Sequence, residues 1–154
     1  MAQEWELEMK TIDLVAASYD YYRKAASLRA EVAKRIAGAA TSTALKEFDQ
    51  KLLRVQGAET GFGGGGGGRG GRQAPAFTAL NRSLGSLATV IDGQDAAPTP
   101  AMQTAYEGSC QDLTSAVQTF NELVKTDLPN VNAELTKLSL SPLAAMPLAV
   151  PACK

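Results

Sequence analysis

The sequence predicts an all-α protein: an antiparallel up-down-up-down four-helix bundle with a Gly-rich loop between helices 2 and 3 and a kinked last helix. Three observations predict it. Four segments carry apolar residues at steps of three and four, which gathers those side chains on one helical face. Glycine, proline and Ser/Thr turn signals separate the segments. Aromatic residues make up 6% of the chain, few for a β-sandwich. At 154 residues, the chain is long enough for one domain with a core of its own.

The last helix carries the longest stripe and anchors the arrangement. It runs from Thr99 to about Leu138 through Met102, Tyr106, Cys110, Leu113, Val117, Phe120, Leu123/Val124, Leu128, Val131, Leu135 and Leu138. Thr99 caps it, and Pro100 takes the first position, where a missing N–H costs nothing. Pro129 predicts a kink, or a fresh turn capped by Asp127. The first helix is expected from Thr11 to about Ile36, on a stripe of Ile12, Leu14/Val15, Ser18/Tyr19, Tyr22, Ala25, Leu28, Val32 and Ile36, with Gly38 as its stop. Residues 1–10 form a lead-in segment. There Trp5, Leu7 and Met9 alternate with Glu4, Glu6 and Glu8 in a strand-like way; a lone strand has no partner within this chain, and the alternatives are a lead-in to the helix or the end of a preceding element. A second, short helix starts from a cap at Thr41 or Ser42 and carries Leu45, Phe48, Leu52 and Val55 up to Gly57. A third runs from Phe77 to Ile91 on Phe77, Leu80, Leu84, Leu87 and Ile91, and Gly85 offers room for a neighbour. Residues 11–138 thus make the bundle, and residues 139–154 read as a Pro-rich extended or disordered tail.

Residues 57–75, GAETGFGGGGGGRGGRQAP, hold ten of the fourteen glycines and read as a flexible linker inside the bundle. Arg69 and Arg72 resemble part of an RNA-binding Gly/Arg tract. Two arginines and one phenylalanine supply few contacts to a nucleic acid, so the linker reading leads. A phosphate-binding loop is absent, because no Gly-Lys-Ser/Thr ending leads from a strand into a helix.

Charge and composition narrow the function classes. Lys plus Arg number 15 and Asp plus Glu 16, so the chain has no global attraction to nucleic acid or anionic membrane. Histidine is absent. That removes the commonest general base and metal ligand, and with them a Glu-x-x-His di-iron bundle. Two cysteines cannot supply four zinc ligands. Cys110 sits on the apolar stripe as a small buried residue; a bridge to Cys153 stays open, and it requires an oxidising compartment. Asp92 and Asp95 flank a turn and suit backbone hydrogen bonds there. Glu107, Asp112, Glu122 and Asp127 form an acidic outer face on the last helix, and Arg23, Lys24, Arg29, Lys34 and Arg35 a basic one late on the first. No run of twenty apolar residues exists to span a membrane, and no leader pattern opens the chain.

The segments Phe77–Thr99, with its Asp-Ala-Ala-Pro-Thr connection, and Leu123-Val-Lys-Thr-Asp-Leu-Pro-Asn-Val-Asn resemble the helical C-terminal region of bacterial sialidase-like, sortilin-like (Asp-box) β-propeller proteins, often labelled glycosyl hydrolases. Leu7-Glu-Met-Lys-Thr-Ile-Asp resembles the junction into that region. The resemblance covers roughly residues 7–138. It implies a secreted or cell-envelope protein in which a propeller precedes this region. No Asp-box appears here, so no glycosidase activity carries over.

The expectation is therefore a non-catalytic helical accessory or protein-interaction module, C-terminal to a β-propeller of the same polypeptide. It has no cofactor, metal or catalytic residue. One alternative is a bundle that binds a small apolar ligand near Tyr19, Tyr22, Tyr106 and Phe120. A second is weak RNA binding through Arg69 and Arg72.

Overall fold

The computed structural model describes residues 2–39, 42–58, 75–94 and 97–153. They form an all-α domain of four helices, a four-helix bundle whose last helix is kinked. The first helix, α1, spans Ala2–Gly38, α2 spans Thr43–Gln56, and α3 spans Phe77–Asp92. The last consists of α4 (Pro100–Glu122), a π turn (Leu123–Asp127) and α5 (Leu128–Lys137).

At the start of α1 the structure decides between the strand and helix alternatives for the lead-in. Residues 2–10 are helical and continuous with the rest of α1. The alternation of Trp5, Leu7 and Met9 therefore does not mark a strand. Leu7 turns inward while Trp5 and Met9 stay exposed. The buried row of α1 is Leu7, Thr11, Leu14, Ser18, Tyr21, Ala25, Leu28 and Val32, at steps of three and four. Thr11 and Ser18 enter the core cheaply because their hydroxyls donate to the carbonyls of Leu7 (2.7 Å) and Val15 (2.8 Å) within the same helix.

The start and stop signals act as chemistry requires. Ser42 Oγ accepts from Leu45 N–H, and Thr99 Oγ1 from Met102 N–H, each satisfying a donor of a first turn. Gly57 ends α2 at φ 87°, a conformation open to glycine. Leu45, Phe48, Leu52 and Val55 are buried on α2, and Phe77, Leu80, Leu84 and Ile91 on α3. Asp127 does not cap a new helix. Its backbone is helical, and its carboxylate instead accepts from Lys51 Nζ of α2 at 2.6 Å. The chain meets Pro129 with a π turn, in which Leu128 N–H reaches back five residues to Leu123 C=O. Phe120, Val124, Leu128 and Val131 are all buried, so the core row runs through the turn.

Strict alternation of helix directions does not hold between α2 and α3. Arg29 of α1 grips Asp49 of α2 through Nε–Oδ1 (2.8 Å) and Nη2–Oδ2 (3.0 Å), high on α1. Lower down, Tyr21 packs on Phe77 with ring centroids 5.8 Å apart, and Asn81 Nδ2 donates to Val15 C=O and Ser18 Oγ, both at 2.9 Å. Both α2 and α3 therefore run antiparallel to α1, one after the other. A β-carbon on Gly57 would strike Thr78 and Ala76, so the end of α2 meets the start of α3. Nothing obliges a connection as long as residues 57–75 to reverse direction, as a tight helical hairpin must. The last helix then climbs parallel to α1: its lower end lies beside Leu7 and Lys10, and Phe120 beside Leu28.

Candidate interaction surface

Two features of the surface are built rather than incidental. The first is on α1. Trp5, Met9, Ile12, Ala16 and Tyr19 succeed one another at steps of four, three, four and three, so α1 carries a second apolar row beside the buried one. Its large members are exposed: Trp5 by 63%, Met9 by 39%, Ile12 by 42% and Tyr19 by 54%. This corrects the expected register at Ile12; of the pair Ser18/Tyr19, Ser18 faces inward and Tyr19 outward. The row extends for about 21 Å along the helix. Glu6, Glu8, Asp13 and Asp20 border it, with Glu6 holding Lys10 and Asp20 holding Lys24, both at 2.6 Å. The Glu6–Lys10 hydrogen bond keeps the Glu6 carboxyl below its ordinary pKa and Lys10 above its own.

The second feature is the tail. It is extended and closely held along residues 140–153. It runs down the groove between α1 and the last helix. Arg35 Nε donates to Ser141 C=O (2.9 Å), and Tyr21 Oη donates to Ala149 C=O (2.7 Å). Asn132 clasps Leu143, accepting its N–H (2.7 Å) and donating to its C=O (2.9 Å). Asn121 treats Leu148 the same way, at 2.6 and 2.9 Å. Cys110 and Cys153 are joined by a disulfide, with Cα atoms 5.8 Å apart. Leu143 and Leu148 are buried, which is worth roughly 1.5–3 kcal/mol each.

The four residues expected to face an apolar ligand do not share a cavity. Tyr19 and Tyr22 stack at 6.2 Å and border a shallow depression of about 400 Å³ with Ala58, Thr78, Asn81 and Arg82. Tyr106 is buried near Lys10 and Asp13, and desolvation raises its phenol above the ordinary value. Phe120 is buried on the opposite flank, beneath Ala144, Ala145 and Met146 of the tail. Arg69, Arg72 and Asp95 lie outside the described residues. Among the described residues no three His, Cys, Asp or Glu side chains gather to hold a metal, and no helix is long and apolar enough to cross a membrane. Sequence reasoning misses both the outer row of α1 and the asparagine clasps. The steps of four and three through Trp5, Met9, Ile12 and Ala16 are the available signal for the row.

Comparison with family models, with curated proteins and with solved structures gives no match to this chain.

Proposed function

We propose that this chain is a non-catalytic helical interaction module that docks a protein partner through the outer row of α1. The observation that carries this reading is the row Trp5–Met9–Ile12–Tyr19, a regular apolar seam on the solvent side of a helix whose other seam is already buried. Contiguous exposed apolar surface of this kind marks association sites. Glu6 and Asp20 on the border already hold Lys10 and Lys24, so the apolar row rather than the charge at its edge sets the fit, and the complementary surface is an apolar groove. The resemblance to propeller-associated helical regions makes a β-propeller the leading partner. The disulfide suits the secreted or cell-envelope setting which that resemblance implies.

The test is titration of this chain against a separately expressed sialidase-like, sortilin-like β-propeller. Association at micromolar concentration, weakened at least about tenfold by Met9→Asp with Ile12→Asp, supports the reading. Association that ignores those substitutions removes the row from the account. Two well-behaved proteins that ignore each other at high micromolar concentration remove the propeller.

A further inference from the structure

The tail is fastened at intervals that match a rule of geometry. On the last helix the fastening residues are Cys110, Asn121 and Asn132, eleven residues apart. On the tail they are Cys153, Leu148 and Leu143, five residues apart. Between Cys110 and Asn121 the helix is regular, and eleven such residues rise about 16 Å and return to nearly the same face after three turns; between Asn121 and Asn132 the π turn intervenes, and the second clasp is held across it. Five extended residues also cover about 16 Å. The last helix therefore presents fastening points at matching intervals, and an extended peptide engages them in registers five residues apart, of which the Cys153 bond selects one. The tail repeats accordingly, with Pro-Leu-Ala at 142–144 and again at 147–149. Each proline holds the chain extended and offers no donor of its own, and each leucine is the clasped, buried residue. Each asparagine amide satisfies both the N–H and the C=O of its leucine, as a neighbouring strand would.

The tail completes the core of these helices, since Leu143 and Leu148 join its buried cluster and the segment 144–146 covers Phe120, so a groove without its own tail exposes apolar surface that another copy's tail can cover. The peptide hangs from a short hinge at Leu138–Ser141. There Ser139 N–H reaches Thr136 C=O and Leu140 N–H reaches Leu135 C=O, a helix ending that favours glycine; Ser139 holds it at φ 57°. A strained hinge next to a separable, self-recognising segment is the arrangement that permits exchange between copies. We propose that the groove between α1 and the last helix is a binding site for an extended peptide read in five-residue steps, and that it takes residues 142–153 from a second copy of this chain. The result is an exchanged dimer with a Cys110–Cys153 bond in each direction. Each bond forms when one thiol from each copy loses a proton and the pair gives two electrons to a small-molecule disulfide, which leaves as two thiols. Within one chain the hinge supplies the tail at millimolar effective concentration, so exchange competes as protein concentration approaches that range or when chains fold together.

The test uses full-length chains. C110S keeps only the tail thiol and C153S only the groove thiol; the two carry different tags. Each is unfolded in urea, mixed at about 0.2 mM and refolded in a glutathione buffer, then resolved on a non-reducing gel. A mixed Cys110–Cys153 dimer several-fold more abundant than the dimer of either variant alone is expected. Asn121→Ala with Asn132→Ala in the C153S chain should cut the mixed dimer at least about fivefold, because chance collision of thiols does not need the clasps. Equal yields in the mixture and the controls, or no effect of the asparagine changes, would overturn the proposal. Should circular dichroism show either variant unfolded, two tagged wild-type chains are reduced, unfolded, mixed and reoxidised instead. A two-tag dimer whose linking peptide joins Cys110 to Cys153 supports exchange, and monomers alone refute it.

Discussion

Reducing the Cys110–Cys153 bond should cost this protein about 4 kcal/mol, nearly all of it through the unfolded chain. The bond closes a loop of 43 residues. Loop-closure entropy places such a loop between about 3 kcal/mol for fifteen residues and about 4.7 kcal/mol for a hundred. The folded side changes little, because Asn121, Asn132, Tyr21 and the burial of Leu143 and Leu148 keep the tail seated without the sulfur bond. The assay is urea unfolding monitored by far-ultraviolet circular dichroism, with and without dithiothreitol. With a slope near 2 kcal/mol/M, the midpoint should fall by about 2 M. Cys153→Ala should reproduce the reduced wild type within a few tenths of a kcal/mol, since it removes the same constraint. A midpoint that shifts by less than about 0.5 M would refute the reasoning, as would a loss of native helicity on reduction before any urea is added.

Glycine positions separate by their surroundings. Gly57→Ala meets Thr78 and Ala76 at φ 87° and should cost about 2 kcal/mol or more, whereas Gly85→Ala and Gly108→Ala meet nothing within 4 Å and should each add about 0.5–1 kcal/mol, read as opposite shifts in melting temperature. Because α2 ends against the start of α3, replacing residues 59–74 by about four Gly/Ser residues should leave the fold intact and raise stability by roughly 1 kcal/mol in the same urea assay. Burial raises the phenols of Tyr21 and Tyr106 above their ordinary values. A folded pKa above the unfolded one means stability is complete below about pH 10 and drains away as pH rises through the folded values. Melting temperature against pH, with phenolate absorbance alongside, should show that alkaline loss, and Tyr21→Phe should shrink it.

The last helix is legible in the sequence almost residue by residue. From Met102 to Leu135 its row is regular, every member is large or sulfur-bearing, and Thr99-Pro100 announces its start. The π turn is not legible as such; Pro129 signals a disturbance, while the steps of three and four continue through the turn as they do along the rest of the helix. On α1 the sequence offers two interleaved rows, and the outer one holds the greasier residues. Hydrophobicity alone favours Ile12 and Tyr19 over Thr11 and Ser18. The structure reverses this because a hydroxyl bonded to its own helix is a small, satisfied core residue. The prolines of the tail make its extension legible, but asparagines on a distant helix carry no sign of what they bind. Only the equal spacings, eleven on one side and five on the other, encode the pairing.

The end-to-end meeting of α2 and α3 brings Gly57 against Ala76 and Thr78, so the chain leaves one helix and enters the next at a single spot. A guest whose own termini lie close together could be spliced into that opening, displayed on the flank beside Tyr19 and Tyr22, while its host kept every core contact.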